Sequence, residues 1–324
     1  MNSYRIGNES KYELFKYHKL GIGKHSVVYL GRCLNQDKKI IIGRDDGYVA
    51  IKKIDMRNFS EEIHKITRNE IYILNKLKNN PHKNIVKCFD IIEDVDITYI
   101  ITEYCDGGTM NSILIKPIKM EYIKYYFGQL IDSIYFLHEN NIIHRDIKPA
   151  NILFTNNMKM IKLCDFGFSE DLSLKKNNAL NSMCGSPLYM APEILLRKSC
   201  DMTIDIWALG IILFEMMFGF HPFYDCKDMH QLIESISENK LYKSELKYIN
   251  FTVFSEDMEL LEKFLKYDSI NRIDLKDSNI NRWKKNMYAD MSNNFNISDI
   301  YYFNEIKKSM ENTDENNDDI FEMD

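Results

Sequence analysis

A chain of 324 residues is too long for most single cores, so two lobes or domains are expected. Charged residues make up 28% and apolar residues 45%, an ordinary globular balance, and the net charge of −6 with no basic stripe argues against a nucleic-acid partner. The N-terminus MNSYRIGNES lacks a signal pattern, and seven cysteines stand singly with no C-x-x-C pair, which argues against zinc and for reduced thiols in a cytoplasmic setting.

Residues 1–11 are set apart as an N-terminal extension. Along 12–57, the β-branched and aromatic runs YELFKYHKL, VVYLGRCL, KKIIIG and YVAIKKI, broken by glycine, predict an antiparallel meander. A longer hairpin around NQDKKIIIGRDDG reads as a local embellishment. Ser60 starts a helix as its N-cap, with Glu61 and Glu62 near the positive end of the dipole. The apolar stripe of that helix runs Ile63, Ile66, Leu74 and Leu77, and Glu70 falls on it, four residues from both Ile66 and Leu74. A carboxylate on a buried face needs a cationic partner; the alternative is an edge position facing solvent.

Two apolar runs, IVKCFDII and ITYIITEY, complete a sheet of about five strands, and CDGG at 105–108 marks a break. The pattern then turns helical: EYIKYYFGQLIDSIYFLHENN has apolar residues at 123, 126, 127, 130, 131, 134 and 137, close to a 3.6 period. A hairpin, NILFT–NNMK–MIKLCDFG, follows, and the remaining half is mostly helical. Its longest apolar stretch, IDIWALGIILFEMMFGF at 204–220, carries Asp205 and Glu215 and reads as a buried core helix rather than a membrane span. The tail from 311 has seven acids and no base and reads as a solvated end.

Several segments bear on chemistry. LGIGKHSVVYLG sets Gly21, Gly23 and Ser26 in a G-x-G-x-x-S-x-V arrangement between two strands. Glycines let backbone N–H groups approach phosphate oxygens, although a plain hairpin explains this segment better when it is taken alone. VAIK at 49–52 puts Lys52 on a strand, where a lysine ordinarily faces solvent; the need of Glu70 for a partner makes it notable. HRDIKPAN at 144–151 crowds His, Arg, Asp, Lys and Asn around one proline, as either a polar turn between strands or a catalytic loop. DFG follows at 165–167 and CGSPLYMAPE at 184–193.

Together these segments resemble the motifs of eukaryotic-type protein kinases: a Gly-rich loop, VAIK, a helix Glu, HRD-x-x-x-x-N, DFG and APE, in order and at family-like spacing over 12–283. DIKPAN and GSPLYMAPE resemble the serine/threonine branch, and DFGFS…MCGSPLYMAPE is similar to the autophagy-initiating kinases. The resemblance implies an α+β, two-lobed fold. A small antiparallel β-sheet N-lobe with one main helix would span 12–103 and a larger, mostly helical C-lobe 104–283, with a hinge near 103–108 and an acidic tail at 284–324. It implies ATP and Mg²⁺, with Mn²⁺ as a substitute, and Ser/Thr hydroxyls of proteins as acceptors; the oligomeric state is left open. The alternative is a pseudokinase or nucleotide-binding scaffold, favoured weakly by Ser26 at the third glycine position and disfavoured by the intact charged set.

In the kinase reading, Asp146 accepts or orients the proton of the attacking hydroxyl and Lys148 stabilises the phosphoryl oxygens in flight. Asn151 and Asp165 hold the metal, and Lys52, fixed by Glu70, grips the α- and β-phosphates. The nucleotide is also met by Gly21, Ile22, Gly23, Lys24 and Ser26 of the loop, by an apolar sandwich of Val28, Ala50 and Leu153, and by backbone groups of Glu103 and Cys105, with Thr102 guarding the back of the pocket. His144, Phe166, Leu74 and Cys88 stack as an internal spine. Ser186 is expected to contact Asp146 and Lys148, Asp205 to hydrogen-bond the backbone of the HRD turn, and Glu193 to pair with Arg272. Arg145 is expected to answer a phosphate on the segment 165–193, with Ser182 as its best candidate. Ala150 and Thr109 stand where basophilic kinases carry Glu, which argues against a strong preference for arginine before the acceptor.

Overall fold

The computed structural model describes residues 3–7, 11–23, 26–34, 46–57, 60–174, 185–238, 255–285, 291 and 295–301. Lys24, Ser182, most of the NQDKKIIIGRDDG stretch and the run of acids beyond 311 lie outside them.

Alternation builds the first layer. In YVAIKKID, Val49 and Ile51 are buried while Ala50 and Lys52 are half-buried on the opposite face, as the period of a strand requires. Strands β1 (Ser3–Ile6), β2 (Tyr12–Ile22), β3 (Ser26–Cys33), β4 (Tyr48–Asp55), β5 (Cys88–Glu93) and β6 (Ile97–Glu103) form one antiparallel sheet in the order β1-β2-β3-β4-β6-β5. Six strands stand where about five were expected. The sixth is β1, inside the stretch set apart as an extension; its four residues are too short to signal by pattern, yet Ile6 is buried with Tyr12, Leu14, Val49 and Ile51 in a core on one face.

The other face takes helix α1 (Glu61–Asn79), which buries Thr67, Glu70, Ile73, Leu74 and Leu77. Ile63 and Ile66 are only half-buried, so the stripe is narrower at its start than the spacing suggested. Ser60 holds the extended N-cap backbone, but its hydroxyl makes no capping hydrogen bond, which leaves Glu61 and Glu62 as the helix-start signal.

The second layer is helical: α2 (Met120–Glu139), α3 (Pro192–Leu195), α4 (Thr203–Phe218), α5 (Met229–Ser237), α6 (Ser255–Phe264) and α7 (Ser278–Lys285). α4 is buried on every side and stops at Gly219, whose φ of 77° suits the residue after a helix end; a Cβ there would meet the Lys116 backbone at 2.6 Å. No helix among the described residues is long and apolar enough to cross a membrane. Short pairs complete the lobe: β7 (Ile142–Ile143) with β10 (Glu170–Asp171), and β8 (Ile152–Thr155) with β9 (Met160–Leu163).

The far end departs from the expected tail. Residues 295–301 lie against α2: Tyr122 Oη donates to the Asn296 carbonyl at 2.5 Å, Lys119 N to the Ile300 carbonyl at 2.8 Å, and Ile300 is buried. The boundary expected at 283 also falls inside α7. The acid-rich composition of the whole tail masked the apolar Phe295, Ile297 and Ile300 within it.

Candidate active site

The site is assembled where the sheet, α1 and the two short strand pairs of the C-lobe meet. β2 and β3 converge on the glycine turn, with Gly21 opposite Val28 and Ile22 opposite Val27, and Gly23 N donates to the Ser26 carbonyl at 2.8 Å. A side chain at Gly21 would meet nothing within 4 Å, and Ile22 is 74% exposed, so the end of β2 stands off the rest of the described residues. β4 registers Lys52 opposite Val28 and Ala50 opposite Thr102, which places four of the expected nucleotide contacts on adjoining strands. Leu153 on β8 bridges to Thr109, just past the break at 105–108.

Lys52 is the electrostatic centre. Its Nζ lies 2.7 Å from Glu70 Oε1 and 3.2 Å from Asp165 Oδ1. Burial opposes the lysine's charge, but the two carboxylates outweigh it and push its pKa up. Glu70, buried and close to Asp165, is pushed up from the usual range despite Lys52. For Asp165 the partial desolvation of a side chain that still keeps 46% of its surface open disfavours the anion, but Lys52 outweighs it and holds that carboxyl low. The buried-face glutamate thus has its cation, and the solvent-edge alternative is set aside.

The catalytic-loop candidates are pinned by their neighbours. Asp146 Oδ1 accepts from Ser186 N and Oγ, both at 3.0 Å, and Oδ2 accepts from Asn151 Nδ2 at 2.9 Å. Lys148 Nζ lies 2.6 Å from Ser186 Oγ and 3.4 Å from Asp146 Oδ2. Cys164 N donates to the Asn151 carbonyl at 2.9 Å, tying the strand before DFG to this loop. Beneath it, Asp205 accepts from His144 N at 2.9 Å, Arg145 N at 3.0 Å and His138 Nε2 at 2.9 Å, so one buried carboxylate on α4 holds the turn. Arg145 and Asp165 both have φ above +60°, which non-glycine residues adopt only when their surroundings enforce it. Gly185 sits against the same turn, where a Cβ would come within 2.5 Å of the Arg145 carbonyl. His144 and Phe166 pack with centroids 5.2 Å apart, and Phe166 shares one buried apolar cluster with Leu74 and Cys88.

A divalent metal fits this donor set. Among the described residues no three His, Cys, Asp or Glu converge to cage an ion. Asn151 spends its Nδ2 on Asp146, backbone and side chain, and keeps its amide oxygen as the acceptor to offer. Asp165 is 46% exposed and adds a carboxylate. One or two hard oxygens, with phosphates and water completing the shell, is the manner in which Mg²⁺ is bound.

Three features were not legible in the sequence. Arg145 pairs with Glu170, a carboxylate of the chain itself rather than only a prospective phosphate; the available signal was the SED run directly after DFGF. Glu103, at the break between lobes, pairs with Lys162 of β9 at 2.8 Å. Glu215, buried on α4, accepts from Tyr189 Oη at 3.0 Å and 3.1 Å. Burial pushes Glu215 up to about 8, against the opposing pull of Tyr189. Between its ordinary 4.5 and about 8 the folded chain therefore keeps a proton that the unfolded chain has lost. Stability falls as pH rises through that window and falls no further above it. Glu215→Gln is expected to flatten this dependence, so that its Tm gains on the parent at pH 8.5 relative to pH 5 in thermal unfolding.

The model of the protein kinase domain matches residues 14–284. The chain is 31% identical to the putative serine/threonine-protein kinase R517/R518 of Acanthamoeba polyphaga mimivirus, over 90% of this chain and 69% of that protein. It is 31% identical to the serine/threonine-protein kinase atg1 of Dictyostelium discoideum, over 82% of this chain and 38% of that one. With the mouse serine/threonine-protein kinase ULK3 the identity is 32%, over 82% and 53%. The chain thus spans about two fifths to two thirds of the length of these relatives.

Proposed function

The chain belongs to the protein kinase family, on its serine/threonine branch, and from that premise we propose how its own residues transfer the γ-phosphoryl of ATP to a protein hydroxyl. Asp146 receives the hydroxyl's proton as the oxygen attacks, and Ser186 and Asn151 hold its carboxylate still meanwhile. Lys148, beside Asp146, meets the charge on the transferring group. Lys52, steadied by Glu70, orients the α- and β-phosphates. Asn151 and Asp165 would hold magnesium, which would neutralise charge on the phosphates.

The glycine turn, Val28, Ala50, Leu153 and the backbone at Glu103 and Cys105 receive the nucleotide. Ala150 and Thr109 supply no carboxylate for an arginine before the acceptor, so the proposed substrates are not strongly basic there. A reducing, cytoplasmic compartment suits the single, dispersed cysteines.

The observation that carries this reading is the convergence of Lys52 on both Glu70 and Asp165, contacts spanning 18 and 113 residues of sequence. Incubation with γ-labelled ATP, Mg²⁺ and a degenerate Ser/Thr/Tyr peptide array is expected to label serine and threonine peptides, and Asp165→Asn to abolish the labelling. Parent protein that binds Mg·ATP by calorimetry but transfers no label to any peptide or to itself would overturn it in favour of a scaffold.

A further inference from the structure

Past Phe166 the chain forms β10, only two residues long, and its two carboxylates reach different parts of the site. Glu170 pairs with Arg145 beside the catalytic turn, and Asp171 reaches α1. Opposite directions are what neighbouring residues of a strand require. Asp171 is 1% exposed at its side chain and collects four donors. Tyr72 Oη at 3.0 Å and Lys76 Nζ at 2.6 Å reach Oδ2 from α1, while Ser173 N at 2.9 Å and Oγ at 2.6 Å reach Oδ1 from its own segment. Lys76 Nζ also donates to the Asn140 carbonyl at 2.8 Å, just beyond α2. One turn earlier on α1, Asn69 Nδ2 donates to the Ser169 carbonyl at 2.5 Å.

Residues 69, 72 and 76 are spaced so as to share one face of α1, next to the position of Glu70. Apart from the Lys52–Glu70 pair itself, α1 packs on the sheet through the apolar side chains of Ile73, Leu74 and Leu77. Apolar packing is non-directional and does not by itself set the rotation of a helix to a fraction of an ångström. Charge-assisted hydrogen bonds do impose geometry. Burial disfavours ionisation of Asp171, but the bonds from Lys76, Ser173 and Tyr72 outweigh it and hold its carboxyl below the usual range.

We propose that Asp171 is a positioning residue for the Lys52–Glu70 pair: it grips α1 through Lys76 and Tyr72 and fixes the rotation at which Glu70 meets Lys52. The inference rests on the role proposed above for that pair. Asp171 touches neither nucleotide nor acceptor and acts only through Glu70, so its loss shows in the handling of ATP and not of the peptide.

The test is a set of double-mutant cycles in the full chain, reading kcat and KM for ATP and for peptide, with urea unfolding beside them. Asp171→Asn is expected to lower kcat/KM for ATP about tenfold, the scale of losing one hydrogen bond to a charged group, with the KM for peptide within twofold. In a Glu70→Gln background the same change is expected to cost less than twofold. Lys76→Met and Tyr72→Phe perturb the grip from the helix side, should Asp171→Asn not fold, and are expected to show the same dependence on Glu70. Effects that are undiminished in the Glu70→Gln background, or lowered unfolding stability with an unaltered kcat/KM for ATP, overturn the proposal. If Glu70→Gln alone leaves kcat/KM for ATP unchanged, it is the role of the Lys52–Glu70 pair that fails, and the positioning of that pair by Asp171 falls with it.

Discussion

Asp146→Asn is expected to lower kcat by about 10²–10⁴-fold, the range that a positioned general base contributes, with the affinity for Mg·ATP little altered. The side chain keeps its shape in this substitution and loses its ability to accept a proton. The turn that carries it should not move, because Asp205 and not Asp146 holds the backbone amides of His144 and Arg145. The new amide would, however, put a donor or a carbonyl where Oδ1 now accepts two bonds from Ser186, so a modest shift in peptide KM is expected through Ser186 and Lys148. Single-turnover transfer separates the chemical step from product release. A rate within tenfold of the parent would remove Asp146 from its assigned role.

Arg272→Ala is expected to destabilise the protein by about 3–5 kcal/mol, the cost of leaving one member of a buried pair uncompensated. Arg272 has no side-chain exposure and uses all five N–H donors. Two go to the Glu193 carboxylate at 2.6 Å and 2.7 Å, and one each to the carbonyls of Lys266, Thr203 and Tyr267. Its guanidinium also lies 5.3 Å from the centre of the Trp207 ring. Removal strands the Glu193 charge at α3 and three carbonyls at once, so Tm should fall by roughly 6–15 °C. Arg272→Lys should recover only part of the loss, since a lysine has neither the paired fork nor the flat face. Activity of the folded fraction, assayed well below the new Tm, should remain within a few-fold. A denaturation shift under about 1 kcal/mol would show the pair to be dispensable.

Much of the site was legible because its chemistry is written in short runs. The spacing of α1 placed Glu70 on a buried face, and desolvation then demanded the cation that Lys52 supplies. The resemblance implied that Asp205 would hold the amides of the HRD turn, and it does. The resemblance also implied the packing of His144 on Phe166, and the two rings lie together. Less legible were parts whose signal is weak at short range. β1 has four residues and becomes a strand only because β2 offers a free edge beside it. Phe295 and Ile300 stand in a stretch whose overall composition is acidic, and they are ordered by α2, not by their neighbours in sequence.

The residue types and local spacings by themselves determined the strand and helix faces and set Glu70 on a buried one, because strand alternation and helix periodicity are properties of a few consecutive residues; the two-lobed architecture followed from the likeness of the short motifs to those of protein kinases. Only the tertiary structure decided that Asp171 grips α1, that Glu103 meets Lys162 and that Arg145 is answered by Glu170. Those pairs join residues 25 to 95 positions apart. Which carboxylate meets which cation at such separations depends on the path of the whole chain and on the burial it creates, and nothing in the spacing of either partner encodes it.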